Sequence, residues 1–160
     1  MSCGGFAIGD EKAVMARTRA RRQALQLLYQ WDLRRTPIDE ILGGYYESLL
    51  VSDETPPARP RRDAFAEGLF KGAVEDMSKL DERITRHAEH WKIQRMPAVD
   101  RNILRLAVYE MTRTETPPAV AIDEALELAR MFSGEESVHF VNGVLDAVRK
   151  EIAPVNSRSA

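Results

Sequence analysis

Residues 17–33, RTRARRQALQLLYQWDL, determine the fold class of this 160-residue chain. Apolar side chains recur in this stretch every three or four positions, which is the spacing of one buried face on an α-helix. The predicted buried face consists of Ala20, Ala24, Leu27, Leu28 and Trp31. The same period continues through further segments that Pro and Gly residues separate. The sequence therefore predicts an all-α fold of about seven helices.

The later helices are predicted to begin at residues that favour a helix start. These starts lie near Pro37, Arg62, Ser78, Pro97 and Glu135, and the sixth helix is expected after the break at residues 116–118. The third and fourth helices can also run together as one bent helix. In the fourth, the helical spacing predicts an inward face made of Leu80, Ile84, Ala88 and Trp91.

The Pro-rich stretch 51–60 is predicted to be a linker within one domain, not a boundary between two. The two helices before this stretch are too short to bury a core of their own, so the helices before and after it must share one hydrophobic core. Residues 1–15 lack helical periodicity and are predicted to be a flexible tail. The helical domain is expected to span residues 16–152, with a C-terminal tail at 153–160.

Composition excludes several classes of protein. The chain is 44% hydrophobic and 30% charged, which is typical of a globular domain, and it contains no apolar run long enough to span a membrane. Its single cysteine excludes an intrachain disulfide and a multi-cysteine zinc site. With no secretory signal either, a cytoplasmic location is expected. The net charge of −2 excludes a generic polyanion binder.

Four arginines crowd the predicted start of the first helix: Arg17, Arg19, Arg21 and Arg22. Cations are disfavoured at a helix N-terminus, and these four also repel one another, so folding alone gives no reason for their placement. A phosphate-bearing partner would supply the missing negative charge, because the planar guanidinium pairs bidentately with phosphate. The cluster therefore indicates RNA binding, and a solvated basic face is the alternative.

Other candidate contact residues are aromatic or acidic. Tyr29 projects to the predicted outer face of the first helix and can anchor a protein partner or pack within the chain. Asp100 in the first turn of the fifth helix favours that helix, which is a sufficient structural reason for it. The segment 133–143, SGEESVHFVNG, leads into a helix whose free N–H groups can hold a phosphate. Phe140 within it can stack on a base or join the core.

Catalytic and metal-binding patterns are weak. His87 and His90 lack a third ligand, and the Glu124/Glu127 pair lacks the second acidic pair that an all-α metal-dependent nucleotide hydrolase uses. No phosphate-binding glycine loop or nucleophile motif is present. We therefore expect no enzyme activity, no metal and no cofactor. The hydrolase remains the alternative from a different functional class.

Four separated blocks of sequence resemble the NusB family of bacterial transcription antitermination factors. They are ARTRAR with ALQLLYQW at 16–31, VDRNILRLAVYEM at 99–111, VAIDEALELA at 120–129 and FVNGVLD at 140–146. The similarity runs in the same order from about Ala16 to Ile152. It implies two packed helical sub-bundles without catalytic activity. It also implies binding of the boxA element in ribosomal RNA leader transcripts, together with the ribosomal protein NusE.

The resemblance also implies roles for individual residues. It places RNA contacts at Arg17, Arg19, Arg21, Arg22, Glu136 and Phe140. It places Tyr29 and Asp100 on the surface that faces NusE. The pair is expected to act as a scaffold with other Nus factors on RNA polymerase. A helical module serving an RNA methyltransferase is a second alternative, which the lack of a catalytic domain in these residues disfavours. The sequence leaves open whether the free protein is a monomer or a homodimer.

Overall fold

The structure is a computed structural model that describes residues 8–51 and 62–153. Within those residues it contains seven α-helices, one short 3₁₀ turn and no strand, which confirms the predicted fold class. The helices are α1 (Ile8–Arg34), α2 (Ile38–Val51), α3 (Ala64–Glu75), α4 (Met77–His87), α5 (Ala98–Arg113), α6 (Pro118–Phe132) and α7 (Glu135–Ile152). No helix in these ranges is both long and apolar enough to cross a bilayer.

Helix α1 begins at Ile8, well before the expected start near Arg17. Residues 8–15 are therefore helical, and the predicted tail at 1–15 is wrong for this part; residues 1–7 lie outside the described residues. The physical reason lies in the residues themselves. Glu11 in the first turn suits the positive end of the helix dipole, and no Gly or Pro interrupts residues 10–34. Residues 11–15 are all exposed, so this part of the segment needs no apolar stripe.

Helix α5 is the centre of the molecule. It contacts α1 and α3 on the N-terminal side of the chain, and α4, α6 and α7 on the C-terminal side. Ten of its residues are buried, and the buried apolar side chains form one continuous cluster that both groups of helices share. Two sub-bundles thus pack on a common helix, as expected for one domain.

The predicted buried face of α1 is largely confirmed. Ala20, Ala24, Leu27 and Leu28 are all buried, whereas Trp31 is half-buried under the guanidinium of Arg35, which lies 4.3 Å from the ring centroid. Helix α1 ends there because Arg35 adopts a positive φ of 54° while its N–H still bonds to the Trp31 carbonyl.

Helices α3 and α4 follow each other with only Asp76 between them, so the alternative of one bent helix is close to what is seen. The start of α3 is fixed by Asp63, whose carboxylate accepts hydrogen bonds from the N–H groups of Phe65 and Ala66. Tyr109 of α5 crosses α3 at Gly72, where a Cβ atom would overlap the tyrosine hydroxyl. A glycine at this position therefore allows α3 to approach α5 closely.

A buried polar network joins α1, α4 and α5. The carboxylate of Asp32 accepts hydrogen bonds from Arg101 Nε at 2.6 Å and Asn102 Nδ2 at 3.2 Å, and lies 3.2 Å from Arg105. Arg105 also donates to both oxygens of Asp81, at 2.7 and 2.9 Å. Burial alone would raise the pKa of Asp32, but the hydrogen bond from Arg101 and the charge of Arg105 outweigh it and hold the pKa below its usual value.

Candidate nucleic-acid interface

The α1 arginines do not lie at a helix terminus. Because α1 begins at Ile8, Arg17 lies about two and a half turns inside the helix, and the later arginines lie further in. The dipole effect fades within the first turn, so the expected penalty at a helix start does not apply. Their mutual repulsion remains, and the structure separates them into two pairs that face different directions.

Arg19 and Arg22 belong to an outward stripe of α1. The stripe continues along the helix at intervals of three and four residues, which keeps its members on one face. Its members are Arg19, Arg22, Gln26, Tyr29 and Leu33. All are exposed except Arg22, which is half-buried. We call this surface the α1 stripe; it carries cations at one end and an aromatic ring at the other.

Arg17 and Arg21 face the opposite direction, toward α3. Their guanidinium groups lie 5.1 and 5.4 Å from the centroid of the Phe65 ring, within the range of a cation–π contact. An open cleft of about 520 Å³ lies beside them, bounded also by Glu124 and the turn 114–117. Arg17 is exposed, so its charge is available to a ligand in this cleft.

Arg21 has a different role from the predicted RNA contact. It is only 5% exposed, and its Nε donates to both carboxylate oxygens of Glu110, at 2.9 and 3.0 Å, while Nη2 also bonds Glu110. Glu124 lies 3.9 Å from the same guanidinium. The charge of Arg21 is therefore neutralised inside the molecule. The sequence itself indicates this burial. Arg21 lies three residues before Ala24 and seven before Leu28, which places it on the buried face of α1.

Asp100 is also buried, at 4% exposure, so the expected surface contact with a protein partner does not fit its position. Its two carboxylate oxygens accept hydrogen bonds from the hydroxyls of Ser133 and Ser137, at 2.8 and 2.9 Å. These bonds tie the start of α5 to the turn between α6 and α7. Asp100 therefore positions that turn and does not offer a free charge.

The turn that Asp100 holds leads into α7. Gly134 precedes the helix with φ of 157°, a conformation that side-chain-bearing residues rarely adopt. Glu136 follows in the first turn and is exposed, and Phe140 lies one turn later, half-buried. Both predicted RNA residues of this segment are thus accessible at the same end of α7.

Trp91 is a residue whose position the sequence prediction misplaced. The helical spacing placed it inward with Ile84 and Ala88, but α4 ends at His87 and the ring is 54% exposed. Its centroid lies 6.4 Å from that of Phe140, with the rings at 68° to each other. Because α4 ends before Trp91, the helical spacing no longer applies at this residue and its ring is not directed into the core.

Tyr29 is 37% exposed, which agrees with its predicted outward position. It borders a shallow groove of about 530 Å³ between α1, α2 and the ends of α5 and α6. The other walls include Leu25, Tyr45, Val99 and Phe132, so most of the lining is apolar. Apolar surface of this kind with an aromatic at its edge suits a protein partner.

The weak metal-binding patterns have structural explanations. Glu124 accepts a hydrogen bond from Thr18 and lies beside Arg21, while Glu127 pairs with Arg130. His87 lies 2.8 Å from a carboxylate oxygen of Glu151 on α7. Within the described part of the chain, no three His, Cys, Asp or Glu side chains are grouped so that they could hold a metal ion.

The candidate contact residues therefore fall into two regions at opposite ends of α5. Glu110, the partner of Arg21, and Asp100, the anchor of the α7 turn, are ten residues apart on that helix. At 1.5 Å per residue the two regions are separated by roughly 15 Å along the axis. A ligand that touches both must span at least that distance.

Comparison with known proteins identifies the family. A family model described as "NusB family" matches residues 18–150. The transcription antitermination protein NusB of Solibacter usitatus (strain Ellin6076) is 59% identical over 145 residues, which are 91% of this chain and 96% of that protein.

Two solved structures share the fold. NusB of T. maritima has a TM-score of 0.69 at 35% identity and covers 90% of this chain and 97% of its own. A chain from the crystal structure of antitermination factors NusB and NusE in complex with dsRNA has a TM-score of 0.71 at 30% identity, over 84% of this chain and 96% of its own. With a family model and a close relative that each span most of its length, this chain belongs to the NusB family of transcription antitermination proteins.

Proposed function

We propose that this member of the family binds the boxA element of ribosomal RNA leader transcripts together with the ribosomal protein NusE. It does so as a non-catalytic scaffold that joins other Nus factors on RNA polymerase. The similarity to a NusB chain solved with NusE and RNA supports both partners. The observation that carries the proposal is a set of unneutralised arginines on α1, two of which lie on the α1 stripe that continues to the apolar groove at Tyr29.

The arginines in question are Arg17, Arg19 and Arg22. None of them forms an ion pair with a described residue, in contrast to the buried Arg21. Uncompensated guanidinium groups on one helix repel each other, and phosphate removes that cost by pairing with them. Three such groups supply phosphate contacts, which position an RNA but do not read its sequence.

The α1 stripe connects the RNA and protein surfaces. Arg22 and Tyr29 are seven residues apart on it, or roughly 10 Å along the helix. A partner docked against Tyr29 therefore lies close enough to contact the same RNA strand. This geometry explains how binding of a protein and of a short RNA can reinforce each other, since each positions the other.

The experiment is a titration of a boxA-bearing RNA of roughly twelve nucleotides, within the site sizes typical of single-strand binders, with and without NusE. We expect tighter binding to boxA than to a shuffled RNA, and a further gain with NusE. In a Tyr29→Asp variant the gain from NusE should be lost while binding of RNA alone is unchanged, because a charge replaces the apolar anchor.

A Tyr29→Phe variant is the matched control, since it keeps the ring and should keep most of the gain. Equal affinity for boxA and shuffled RNA would contradict the proposed RNA specificity. Wild-type NusE binding by Tyr29→Asp in calorimetry would remove Tyr29 and its groove from the protein interface.

A further inference from the structure

An open groove lies near the end of α5, where the α5–α6 turn meets α4 and the last turn of α7. Its volume is about 620 Å³, within the range of known ligand pockets. The floor is mostly apolar and includes Met111, Pro117, Ala119 and Ile152. Two arginines, Arg83 and Arg149, also line it, and no aspartate or glutamate does among the described residues. We call this surface the Arg83 groove.

The charge of Arg83 is only partly neutralised within the molecule. Its guanidinium lies 3.6 Å from a carboxylate oxygen of Glu151, and Arg86 bonds the other oxygen of the same carboxylate at 2.8 Å. The hydrogen bond from His87 and the charges of the two arginines hold the pKa of Glu151 below its usual value. One carboxylate thus faces two guanidinium groups, and a positive charge remains.

The same arrangement recurs at Arg149. Its partner Asp146 lies 3.1 Å away and is shared with Lys150, also at 3.1 Å. The side chain of Arg149 is 48% exposed and that of Arg83 is 31% exposed, so both guanidinium groups can be reached from the groove. The Arg83 groove therefore combines apolar floor with excess positive charge at its edge.

The groove is separate from the surfaces proposed for RNA and NusE. Pro117 borders both the groove and the cleft beside Arg17, so the α5–α6 turn stands between the two. The groove at Tyr29 includes Val99 at the start of α5, whereas Met111 is near its end, roughly 18 Å further along the helix. A ligand in the Arg83 groove leaves both of those surfaces open.

The chemistry of the groove suits carboxylates better than an RNA strand. A helix start holds phosphate through its first N–H groups, but Pro117 and Pro118 at the start of α6 carry none. No aromatic ring of the described residues lines the groove, so an RNA base has no ring to stack on. Guanidinium groups beside an apolar floor match a peptide that carries both carboxylates and an apolar side chain.

We propose that the Arg83 groove binds an acidic segment of a partner protein, in which aspartate or glutamate flanks an apolar side chain. The apolar side chain packs on Pro117, Ala119 and Ile152, and the carboxylates pair with Arg83 and Arg149. The inference goes beyond the proposed function because it assigns a third surface, which takes neither RNA nor the partner at Tyr29.

The chain's own continuation does not fit this chemistry. Residues 154–160, PVNSRSA, follow directly after Ala153, which lines the groove. They contain no aspartate or glutamate, and Arg158 adds a further cation. Charge complementarity therefore favours a segment of another protein.

The experiment uses a displayed library of random peptides, selected on the full chain. Peptides that bind an Ala119→Glu variant are removed first, so that the remaining sequences depend on the groove. Ala119 is exposed in the first turn of α6, where a carboxylate favours the helix, so this variant should fold normally. We expect the enriched sequences to carry an apolar residue between acidic ones, and binding of a synthetic copy to weaken with salt.

Charge reversal tests the arginines with that synthetic peptide. Arg83→Glu combined with Arg149→Glu should weaken binding at least about tenfold, because like charges then face each other. The matched control combines Lys92→Glu with Arg95→Glu, two exposed cations between α4 and α5, which changes the net charge equally and should have a much smaller effect. Replacing the acidic residues of the peptide by their amides should weaken binding to wild type in the same way.

Several outcomes would overturn the inference. They are an enriched set without acidic residues, no enriched set at all, or wild-type peptide affinity in the Arg83/Arg149 variant. Weaker boxA RNA binding by Ala119→Glu would make the groove an RNA contact. Peptide binding that tightens more than about tenfold in a chain ending at Ala153 would make residues 154–160 the occupant. A wild-type protein that binds the acidic peptide but does not prefer boxA RNA would contradict the proposed function and leave this inference standing.

Discussion

A single arginine illustrates how burial decides the role of a charge. Arg21 and Glu110 are 5% and 3% exposed, and at least two hydrogen bonds join them. Removing two charges from water is costly, and only a partner with good geometry offsets that cost. Once the pair has formed, neither charge is free for a ligand. The neighbouring Arg19 has no such partner among the described residues, and its charge faces water.

Replacing Arg21 should therefore affect folding more than RNA contact. We expect Arg21→Ala to lower the free energy of unfolding by about 3–5 kcal/mol, because it leaves Glu110 buried without a partner. The exposed control Arg19→Ala should change it by less than about 0.5 kcal/mol. Chemical denaturation of both variants checks this. If Arg21→Ala instead has wild-type stability and binds RNA poorly, Arg21 contacts RNA as the sequence predicted, and its assignment to the core is wrong.

At this scale the sequence predicts which residue types lie in the site better than it predicts what each one does. The outward position of Tyr29 followed from helical spacing and is confirmed. Arg21 and Asp100 were expected at contact surfaces but are buried, because their partners are distant in sequence: Glu110 for one, Ser133 and Ser137 for the other. Spacing along one helix does not reveal a partner on another helix.

At the scale of helices, the contacts among α1, α4 and α5 set the geometry of the candidate site. The Asp32 network fixes the end of α1 against the start of α5. Asp32 lies about one turn after Tyr29, and Arg101 and Asn102 directly follow Asp100. The number and order of helices followed from periodicity, because each apolar stripe must face a core. The early start of α1 did not, since its exposed first turns carry no apolar pattern, and neither did the end of α4, since the apolar spacing continues past His87 to Trp91.

The Asp32 network should make stability depend on pH. The pKa of Asp32 is lower in the folded protein than its usual value near 3.9, so its contribution is fully present above that pH and is lost as the pH falls through the folded pKa. Asp32→Asn should cost about 2 kcal/mol of unfolding free energy at neutral pH, and the difference from wild type should shrink below about pH 4.

Urea denaturation across a pH series measures that difference, and Asp123→Asn, an exposed aspartate on α6, is the control. A difference between wild type and Asp32→Asn that stays constant from neutral to acid pH would show that the charge of Asp32 does not stabilise the network.

At the scale of the whole molecule, a net charge of −2 conceals a divided surface. The unpaired Arg17 of α1 lies beside α3 and the α5–α6 turn, with Arg19 and Arg22 on the outward face of the same helix, whereas the exposed Glu136 lies about 15 Å along α5, at the start of α7. The two regions differ in chemistry: one attracts phosphate and the other offers aromatic rings with a carboxylate. Under the proposed function, one RNA that spans about 15 Å would contact both regions.

The central claim is that the exposed arginines of α1 hold RNA through its phosphates. The most direct measurement is the salt dependence of the affinity for boxA RNA, taken for a double variant that carries Arg17→Ala and Arg19→Ala. The control is a second double variant with Lys79→Ala and Arg86→Ala, which removes two positive charges from α4 instead. For single strands each lost contact lowers the slope by about 0.7, so we predict a decrease of about 1.4 for the α1 pair and little change for the α4 pair. Equal slopes and affinities for the folded α1 variant and wild type would contradict the claim.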